Sequence, residues 1–482
     1  MAIDLQLTAI DIDPHSVNFS GPDYVALMHD LQGNILKPHG RDASAHIFLA
    51  FEPGRIPTVR AWLARTLAPR LTTADEQRAQ TARFKAGQGS APFIGAGLSA
   101  LGYLALGFGE DQLPQDPSFR RGAKHPDTGA PLGLNDPPVA QWDAGFQQDL
   151  HLLLIVADDD RGVVQATVAS LLAGLDGIAR VVVGETGAVF RDPQDRVIEH
   201  FGFADGISQP LFLAKDIEAA RMNGGLDRYD PSAPLGLALV KDALAGQDGY
   251  GSYLVFRKLR QDVAGFRAAE ATLAETIGLG EDPAGLAGAL VVGRFRDGTP
   301  VTVQPVPGWT NEPNNFNYDH DADGMRCPFQ AHVRKTNPRG DKSREFGLPM
   351  GEDRSRRIAR RAVSYGPLVL DPPPGSEVGL LFMSVQASVA DQFEFMQAIW
   401  SNFTDFLRPG TGLDPVIGQG VASAPAVPQP WPKTWGVHAG GCVAFDFATW
   451  VQMRGGEYFF LPAPSFFAGL DAPSITATGS PA

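Results

Sequence analysis

The sequence predicts an α+β protein built from two ferredoxin-like units, in which helices pack against antiparallel sheets. Three observations support this prediction: runs of β-branched and aromatic residues of strand length, helical patterns that follow these runs, and a second occurrence of the same order. Such a repeated order is typical of ferredoxin-like units. A chain of 482 residues has room for two of them, because domains usually hold about 100–200 residues.

The first half of the chain contains two strand–helix pairs. Residues 45–51 (AHIFLAF) predict a strand, and residues 55–67 predict the helix that follows it. Residues 150–156 (LHLLLIV) predict a second, strongly apolar strand, which is followed by a predicted helix at residues 160–175.

The second half repeats this order. Residues 251–259 predict a strand and residues 263–277 a helix, and residues 377–386 and 390–403 predict the second pair. The last helix carries apolar side chains at helical spacing, which indicate a buried face: Phe393, Met396, Ile399 and Trp400.

We expect an N-terminal domain at residues 1–215 and a C-terminal domain at residues 216–482. Residues 209–236 mix Pro, Gly and Asp with little periodicity, which indicates the linker between the domains. A second segment rich in Pro, residues 421–434, interrupts the C-terminal domain. Beyond it we predict a terminal pair of strands at residues 441–447 and 457–461.

The composition argues against several classes of function. Acidic residues outnumber basic ones by 54 to 40, and the net charge of −14 repels phosphate backbones, so we expect no nucleic-acid partner. The apolar runs are far shorter than the roughly 20 residues that span a bilayer, so we expect no membrane segment. Two cysteines cannot form a disulfide scaffold. The first residues lack the basic segment and apolar core of a signal peptide, and we therefore expect a cytoplasmic protein.

Two motifs resemble ligand sites but lack part of the necessary chemistry. Residues 95–102 (GAGLSALG) imitate a dinucleotide-binding loop, yet residues 88–92 before them are no hydrophobic strand. Residues 319–324 (DHDADG) match the first half of a calcium loop, but its twelfth position is Gln330 instead of a bidentate Glu. We interpret the acidic motif as a solvated turn.

Three segments place unusual polar residues beside apolar, strand-like sequence: residues 200–210, 327–340 and 356–367. In the first of them, Asp205 follows a short apolar run and lies between glycines, where a tight turn can aim its carboxylate into a dry pocket for proton transfer. An Asp–Gly turn by itself is usually only a turn. His332, in the second segment, is one of ten scattered histidines, and its spacing alone does not make it a ligand.

Together, these segments resemble the dye-decolourising peroxidases, haem enzymes with the signature GxxDG, which matches GFADG at residues 202–206. CPFQAHVRKTNPR is similar to the family's proximal-haem segment, and RRIARRAVSYGP is similar to its distal-arginine segment. LQGNILKPHGR, at residues 31–41, resembles the N-terminal signature, and residues 379–382 and 456–462 match as well. The resemblance therefore covers the chain from about residue 30 to residue 465.

The resemblance implies a haem b site in the C-terminal unit. His332 corresponds to the proximal ligand, whose neutral imidazole binds the iron. Asp205 corresponds to the distal acid. Arg360 corresponds to the distal arginine, and Arg361 is the neighbour with which it could be confused.

The same resemblance assigns the surroundings of the haem. Leu380 and Phe382 correspond to apolar residues that wall the distal pocket, and Arg339 corresponds to an arginine that pairs with a haem propionate. A proximal histidine usually donates its other ring N–H to an acid. We propose Asp414 for that acid. The alternatives are Glu394 and Asp405.

The chain also departs from the family pattern. Ala362 and Ser364 stand where relatives often carry a Gly, Asn or Ser and then a Pro, so a side-chain amide is missing from that part of the pocket. The N-terminal extension and the Pro-rich insertion are typical of the larger bacterial subgroup. Because a bulky dye could not pass the apolar wall, electrons could reach the haem through Trp400, which resembles a position used for surface oxidation, or through Tyr365.

The function implied by the resemblance is reduction of hydrogen peroxide coupled to oxidation of dyes, phenols and other organic reductants. Two alternatives from other classes stay open: a porphyrin-handling protein for haem transport or iron removal, and a packing or cargo protein with an empty pocket. Whether the chain forms a homo-oligomer also stays open.

Overall fold

The computed structural model describes residues 3–246, 248–308, 314–421, 424–447 and 449–472. The long strands of the N-terminal half are β1 (Ala43–Phe51), β2 (Phe93–Leu98), β3 (Leu152–Asp158) and β4 (Ala179–Ala188). They form an antiparallel sheet in the order β4-β1-β3-β2, which is the order of a ferredoxin-like unit. The helices of this half are α1 (Pro22–His29), α2 (Ile56–Trp62), α3 (Ala74–Lys85), α4 (Ala100–Ala105), α5 (Pro117–Arg121) and α6 (Arg161–Leu172).

The C-terminal half begins after two short strands and one helix: β5 (Phe190–Arg191), β6 (Val197–Ile198) and α7 (Ala214–Gly224). Its strands are β7 (Val240–Lys241), β8 (Tyr250–Gln261), β9 (Ala359–Arg360), β10 (Val363–Tyr365), β11 (Gly379–Gln386), β12 (Gln429–Pro432), β13 (Cys442–Phe445) and β14 (Val451–Leu461). The order β10-β11-β8-β14 repeats the ferredoxin-like arrangement. The predicted fold class is therefore confirmed.

The helices of the C-terminal half are α8 (Val263–Thr276), α9 (Leu286–Val292), α10 (His332–Thr336), α11 (Asp341–Phe346), α12 (Met350–Ser355) and α13 (Pro464–Gly469). Two π-helical stretches, Val389–Glu394 and Met396–Ser401, occupy the position of the predicted helix at residues 390–403. A third, Leu63–Leu67, continues α2.

The two sheets join edge to edge at two seams. Phe460 of β14 bridges to Leu98 of β2, and Ser364 of β10 bridges to Ala188 of β4. Because β8 also pairs with β11, the eight strands β8, β14, β2, β3, β1, β4, β10 and β11 close into a ring. The two predicted units thus share one continuous sheet.

Side chains of alternate residues occupy the two sides of this ring. Phe48 packs among residues from strands of both halves, including Phe256, whose ring centroid lies 4.7 Å from that of Phe48. Its neighbours Ile47 and Leu49 point to the other face, where they join the apolar cluster that contains Trp62. This period of two is expected for strands buried on both faces.

Two sequence predictions need correction, and a third stays untested. The segment predicted as a linker, residues 209–236, contains the helix α7, because its Ala and Glu residues favour a helix between the Pro- and Gly-rich ends. The predicted terminal strands do not pair with each other: β13 pairs with β12, and β14 pairs with β8. The domain boundary at residues 215 and 216 falls within α7 and stays a prediction.

Within the described ranges, no helix combines the length and the apolar character that crossing a membrane requires. The motif at residues 95–102 also has a simple structural explanation. It contains the end of β2 and the beginning of α4, whose N-cap Ser99 accepts a hydrogen bond from the Gly102 N–H.

Candidate active site

A large cavity lies between the 199–210 segment, β8, α10 and β11. Its volume is about 1760 Å³ when the solvent space at its open mouth is included. Five residues singled out from the sequence line it together: Asp205, His332, Arg360, Leu380 and Phe382. Leu380 and Phe382 lie on the same face of β11 because they are two residues apart on one strand.

Asp205 is held in a tight turn that returns the chain to β6. Ala204 bridges to Ile198, and the Asp205 N–H donates to the Val197 carbonyl at 3.0 Å. Gly202 and Gly206 have φ angles of +91° and +77°, which glycine adopts without strain. The Asp205 side chain is 32% exposed, so the turn presents the carboxylate at an open part of the cavity and not in the dry pocket that the sequence suggested.

Arg360 stands next to this carboxylate. Its Nη2 lies 3.7 Å from the Asp205 Oδ1, and its backbone N–H donates to the Gln209 Oε1 at 2.9 Å. Arg361 points elsewhere, since its guanidinium donates to the carbonyls of Asn34 and Ile35. Burial, followed by the nearby Arg360 charge, lowers the pKa of Arg361 to about 9.

His332 begins α10, and a buried carboxylate lies behind its ring. The His332 Nδ1 lies 2.9 Å from the Asp414 Oδ2, while the Asp414 Oδ1 accepts the N–H groups of Val416 and Ile417. Burial alone would raise the pKa of the Asp414 carboxyl, but His332 and the two backbone donors hold it below its ordinary value. The Nε2 of His332 is therefore the ring nitrogen left for a ligand in the cavity.

The two alternative acids lie in other surroundings. Asp405 accepts the Gly410 N–H, and the Glu394 carboxylate accepts hydrogen bonds from Ser118 and Tyr458. The carboxylate that does contact the His332 ring is that of Asp414.

Similarity to known proteins supports the resemblance seen in the motifs. The multifunctional dye peroxidase DyP2 of Amycolatopsis sp. is 40% identical over 463 residues, which cover 92% of this chain and 96% of that protein. A dye-decolorizing peroxidase of Mycetinis scorodonius is 30% identical over 480 residues, which cover 90% of this chain and 86% of that protein. The chain belongs to the dye-decolourising peroxidases. It is accordingly an oxidoreductase that acts on hydrogen peroxide.

Solved structures of dye-decolourising peroxidases share the fold. The DyP-type peroxidase of Anabaena sp. matches with a TM-score of 0.87 at 42% identity, covering 93% of this chain and 95% of that chain. DyP2 of Amycolatopsis sp. matches with a TM-score of 0.87 at 37% identity, covering 97% and 100%. No protein-family model matches the sequence.

Arg339 does not line the cavity of this dye-decolourising peroxidase. Its guanidinium lies between the rings of Tyr229 and Phe316, 3.8 and 3.9 Å from their centroids, and donates to oxygens of Asn314, Phe316 and Ser208. A φ angle of +48° turns the chain sharply at this residue. For Arg339 to bind a haem propionate, as the family resemblance implies, its guanidinium has to release these oxygens and bind the propionate instead.

The residues around the cavity fit a haem. The walls are largely apolar, which suits a porphyrin ring, and His332 offers a neutral nitrogen donor. Buried arginines beside the cavity donate to neutral oxygens: Arg357 to the carbonyls of Pro231 and Ser232, and Arg339 as described. Burial and the charges of Arg339 and Arg360 lower the pKa of Arg294 to about 9. A cluster of arginines beside the cavity is suited to the two propionates of a haem, because a guanidinium binds a carboxylate through two hydrogen bonds.

Several cavity residues escaped the sequence analysis. Arg257 and Gln261 flank Leu259 at alternate positions of β8, so the period of two in that strand could have indicated them. Glu199 immediately precedes the segment at residues 200–210, and its carboxylate accepts the N–H groups of Phe201 and Phe203. Tyr229 carried no signal, because it lies in the segment interpreted as a linker.

The acidic motif and the two candidate electron relays each include a buried side chain. The Asp321 side chain is buried and pairs with Arg334, whereas Asp319 is exposed, so the DHDADG segment is a solvated turn only in part. Trp400 is only 2% exposed, which means that a dye could not touch its indole directly. Tyr365 is also buried, and its hydroxyl has no hydrogen-bond partner among the described residues.

Proposed function

We propose that this protein reduces hydrogen peroxide with a haem b and oxidises dyes, phenols and other organic reductants. His332 would ligate the iron, Asp205 would act as acid and base, and Arg360 would stabilise charge. The main support is that one cavity is lined by both the Asp205–Arg360 pair and the His332 ring, which Asp414 orients.

The His332–Asp414 pair would hold and tune the cofactor. An ionised Asp414 that accepts the Nδ1 proton fixes the tautomer in which Nε2 carries its lone pair, and it raises the basicity of that nitrogen. Bound haem would supply the two-electron redox chemistry that reduces peroxide. Arg294, Arg339 and Arg357 would neutralise the propionates.

Asp205 and Arg360 would manage the proton and the charge of the peroxide. The Asp205 carboxylate would accept a proton from one peroxide oxygen and return it to the other, the leaving oxygen. Arg360 cannot lose its proton, so it would stabilise the negative charge that develops as the oxygen–oxygen bond lengthens. Because Ala362 offers no side-chain amide at this wall, proton transfer and charge stabilisation would depend on Asp205, Arg360 and ordered water.

The test is a spectrum of the purified protein, followed by addition of peroxide and then of dye. We expect a Soret band that changes with peroxide. The double variant Asp205→Asn, Arg360→Leu should retain haem and lose about 10²–10⁴-fold in turnover, the usual range for lost proton transfer and charge stabilisation. Asp195→Asn is the matched control, because the Asp195 side chain is 86% exposed and does not line the cavity.

Each outcome distinguishes the candidates. Wild-type turnover in the haem-loaded double variant would show that the roles of Asp205 and Arg360 are wrong. A haem-loaded protein whose spectrum does not respond to peroxide would instead favour the porphyrin-handling alternative, and the absence of a Soret band would favour the packing or cargo alternative.

A further inference from the structure

A phenol–carboxylate pair lies behind one wall of the cavity. Tyr458, on β14, is almost fully buried, and its hydroxyl donates to the Glu394 Oε1 at 2.9 Å. Among the residues that the structure describes, Tyr458 is the tyrosine whose hydroxyl donates a hydrogen bond to a carboxylate. Neither residue has a part in the peroxide chemistry proposed above.

The surroundings of Glu394 suit a carboxylate that lacks its proton. The Ser118 hydroxyl donates to the Oε2, and the Arg121 Nη2 lies 3.3 Å from the same oxygen. With Tyr458, these donors direct hydrogen atoms at both oxygens of the carboxylate, which therefore acts as an acceptor. Burial raises the pKa of Glu394, and it raises the pKa of Tyr458 well above its ordinary value, so the resting phenol keeps its proton.

Aromatic rings connect this pair with the cavity. Phe393 lines the cavity, and its ring centroid lies 6.4 Å from that of Tyr458. Phe382, the wall residue of β11, lies 6.1 Å from Phe393. Tyr458 is thus one side chain behind the wall, a separation that an electron can cross by tunnelling.

The other tyrosines near the cavity lack this arrangement. Tyr229 lines the cavity, but its hydroxyl accepts a hydrogen bond from Asn337, and the Arg339 guanidinium lies against its ring face. A cation at this position opposes removal of an electron from the ring. The Tyr365 hydroxyl has no partner in the described ranges that could take its proton.

We propose that Tyr458 is a redox-active residue of this peroxidase and that Glu394 is its proton acceptor. Reduction of peroxide to water leaves the enzyme short of two electrons. Tyr458 supplies one of them: its O–H bond breaks, the electron goes to the oxidised centre in the cavity, and the proton goes to the Glu394 Oε1. The products are a neutral phenoxyl radical and a protonated Glu394. A one-electron reductant such as a phenol later restores Tyr458, and Glu394 returns the proton.

The test uses haem-loaded protein that contains ring-deuterated tyrosine and receives one equivalent of peroxide without reductant. After rapid freezing, electron paramagnetic resonance should show the signal of a tyrosyl radical in wild-type protein. This signal should be narrower than in protein with ordinary tyrosine, because deuterium couples more weakly to the unpaired electron than hydrogen does. Tyr458→Phe should lose this signal, and Glu394→Gln should lose most of it because an amide cannot accept the proton. Tyr103→Phe is the matched control: Tyr103 is equally buried and its hydroxyl has no partner among the described residues, so the signal should persist.

A measurement on wild-type protein covers the case in which a variant misfolds. Electron–nuclear double resonance in deuterated water should detect one exchangeable deuteron that is hydrogen-bonded to the phenoxyl oxygen, as a protonated Glu394 carboxyl requires. A full radical signal in folded, haem-loaded Tyr458→Phe, or a wild-type radical without this deuteron, would overturn the proposal. The proposal for Tyr458 rests on the proposed peroxidase function, and the experiment distinguishes a failure of either one. If the protein is not a peroxidase, peroxide leaves the Soret band unchanged. If only the role of Tyr458 is wrong, the Soret band still responds to peroxide.

Discussion

Asp414 lies fully buried behind the His332 ring and carries the charge that would make this imidazole a strong ligand. Asp414→Asn removes the charge and keeps the size of the side chain. We expect haem affinity to fall about 10–100-fold, which is typical when the partner of a metal-binding histidine is replaced. Titration of the haem-free protein with haem measures this change. Asp405→Asn is the control, and equal losses in both variants would contradict the role of Asp414.

His46 illustrates a different consequence of burial. Its ring lies inside the sheet at 0% exposure, and neither ring nitrogen has a hydrogen-bond partner in the described ranges. Burial, with a smaller contribution from His39, lowers the pKa of His46 from 6.5 to about 3. Between these pH values the unfolded chain binds one more proton than the folded protein, so His46 makes the protein less stable as the pH falls.

We therefore expect the free energy of unfolding to gain a contribution from His46 of about 1.4 kcal/mol per pH unit on raising the pH from 5 toward 6. Denaturant titrations at these pH values measure it. His46→Leu should flatten the pH dependence by about this amount, whereas His15→Leu, at an exposed position, should leave it unchanged. An unaltered slope in His46→Leu would show that His46 is protonated in the folded protein.

At the scale of single residues, the motifs indicated three residues that line the cavity, His332, Asp205 and Arg360, because each lies in a distinctive segment. The sequence favoured Asp414 as the acid behind His332 but left Glu394 and Asp405 open. Asp414 and His332 are 82 positions apart, and only the folded chain brings them together. The same holds for the Tyr458–Glu394 pair: the sequence placed Tyr458 in a predicted terminal strand and Glu394 among the candidate acids.

At the scale of elements, the close contact between β8 and β11 depends on a glycine. A Cβ atom on Gly379 would lie 1.9 Å from the Leu259 carbonyl oxygen. This oxygen belongs to the backbone of β8 and cannot easily move away. Gly379→Ala should therefore lower the free energy of unfolding by about 1–3 kcal/mol, the usual cost of overpacking. Gly351→Ala is the control, since nothing lies within 4 Å of its Cβ position and α12 favours alanine. Equal stability of both variants, measured by denaturant titration, would contradict the steric argument.

The strongly patterned elements were predictable from the sequence. The four strands predicted in the two strand–helix repeats end within two residues of the observed strands, as with residues 150–156 and the observed strand Leu152–Asp158. The strand predicted at residues 457–461 in fact begins at Val451. β2 was missed because its glycines, in FIGAGL, conceal the strand pattern. The π-helical geometry of Val389–Glu394 leaves no signal in the sequence, since it depends on how the helix packs.

At the scale of the whole molecule, the shared interior couples the two ferredoxin-like units. Phe48 from the N-terminal half lies against Phe256 from the C-terminal half, and both are completely buried. We expect a single unfolding transition in calorimetry and by fluorescence, because neither half can lose its structure without exposing this core. Phe48→Ala should lower the stability of the whole protein by about 3–5 kcal/mol. Two resolved transitions, one of them insensitive to Phe48→Ala, would contradict the coupling.

The closed ring also affects how the protein behaves in a crowded solution. An open antiparallel sheet exposes a row of unpaired backbone groups at each edge, and such edges recruit strands from other molecules into aggregates. Here an edge strand of each four-stranded sheet lies against an edge strand of the other at both seams, and the flanking strands β7 and β9 are only two residues long. We therefore expect closure of the ring to limit self-association of the sheet and fibril formation.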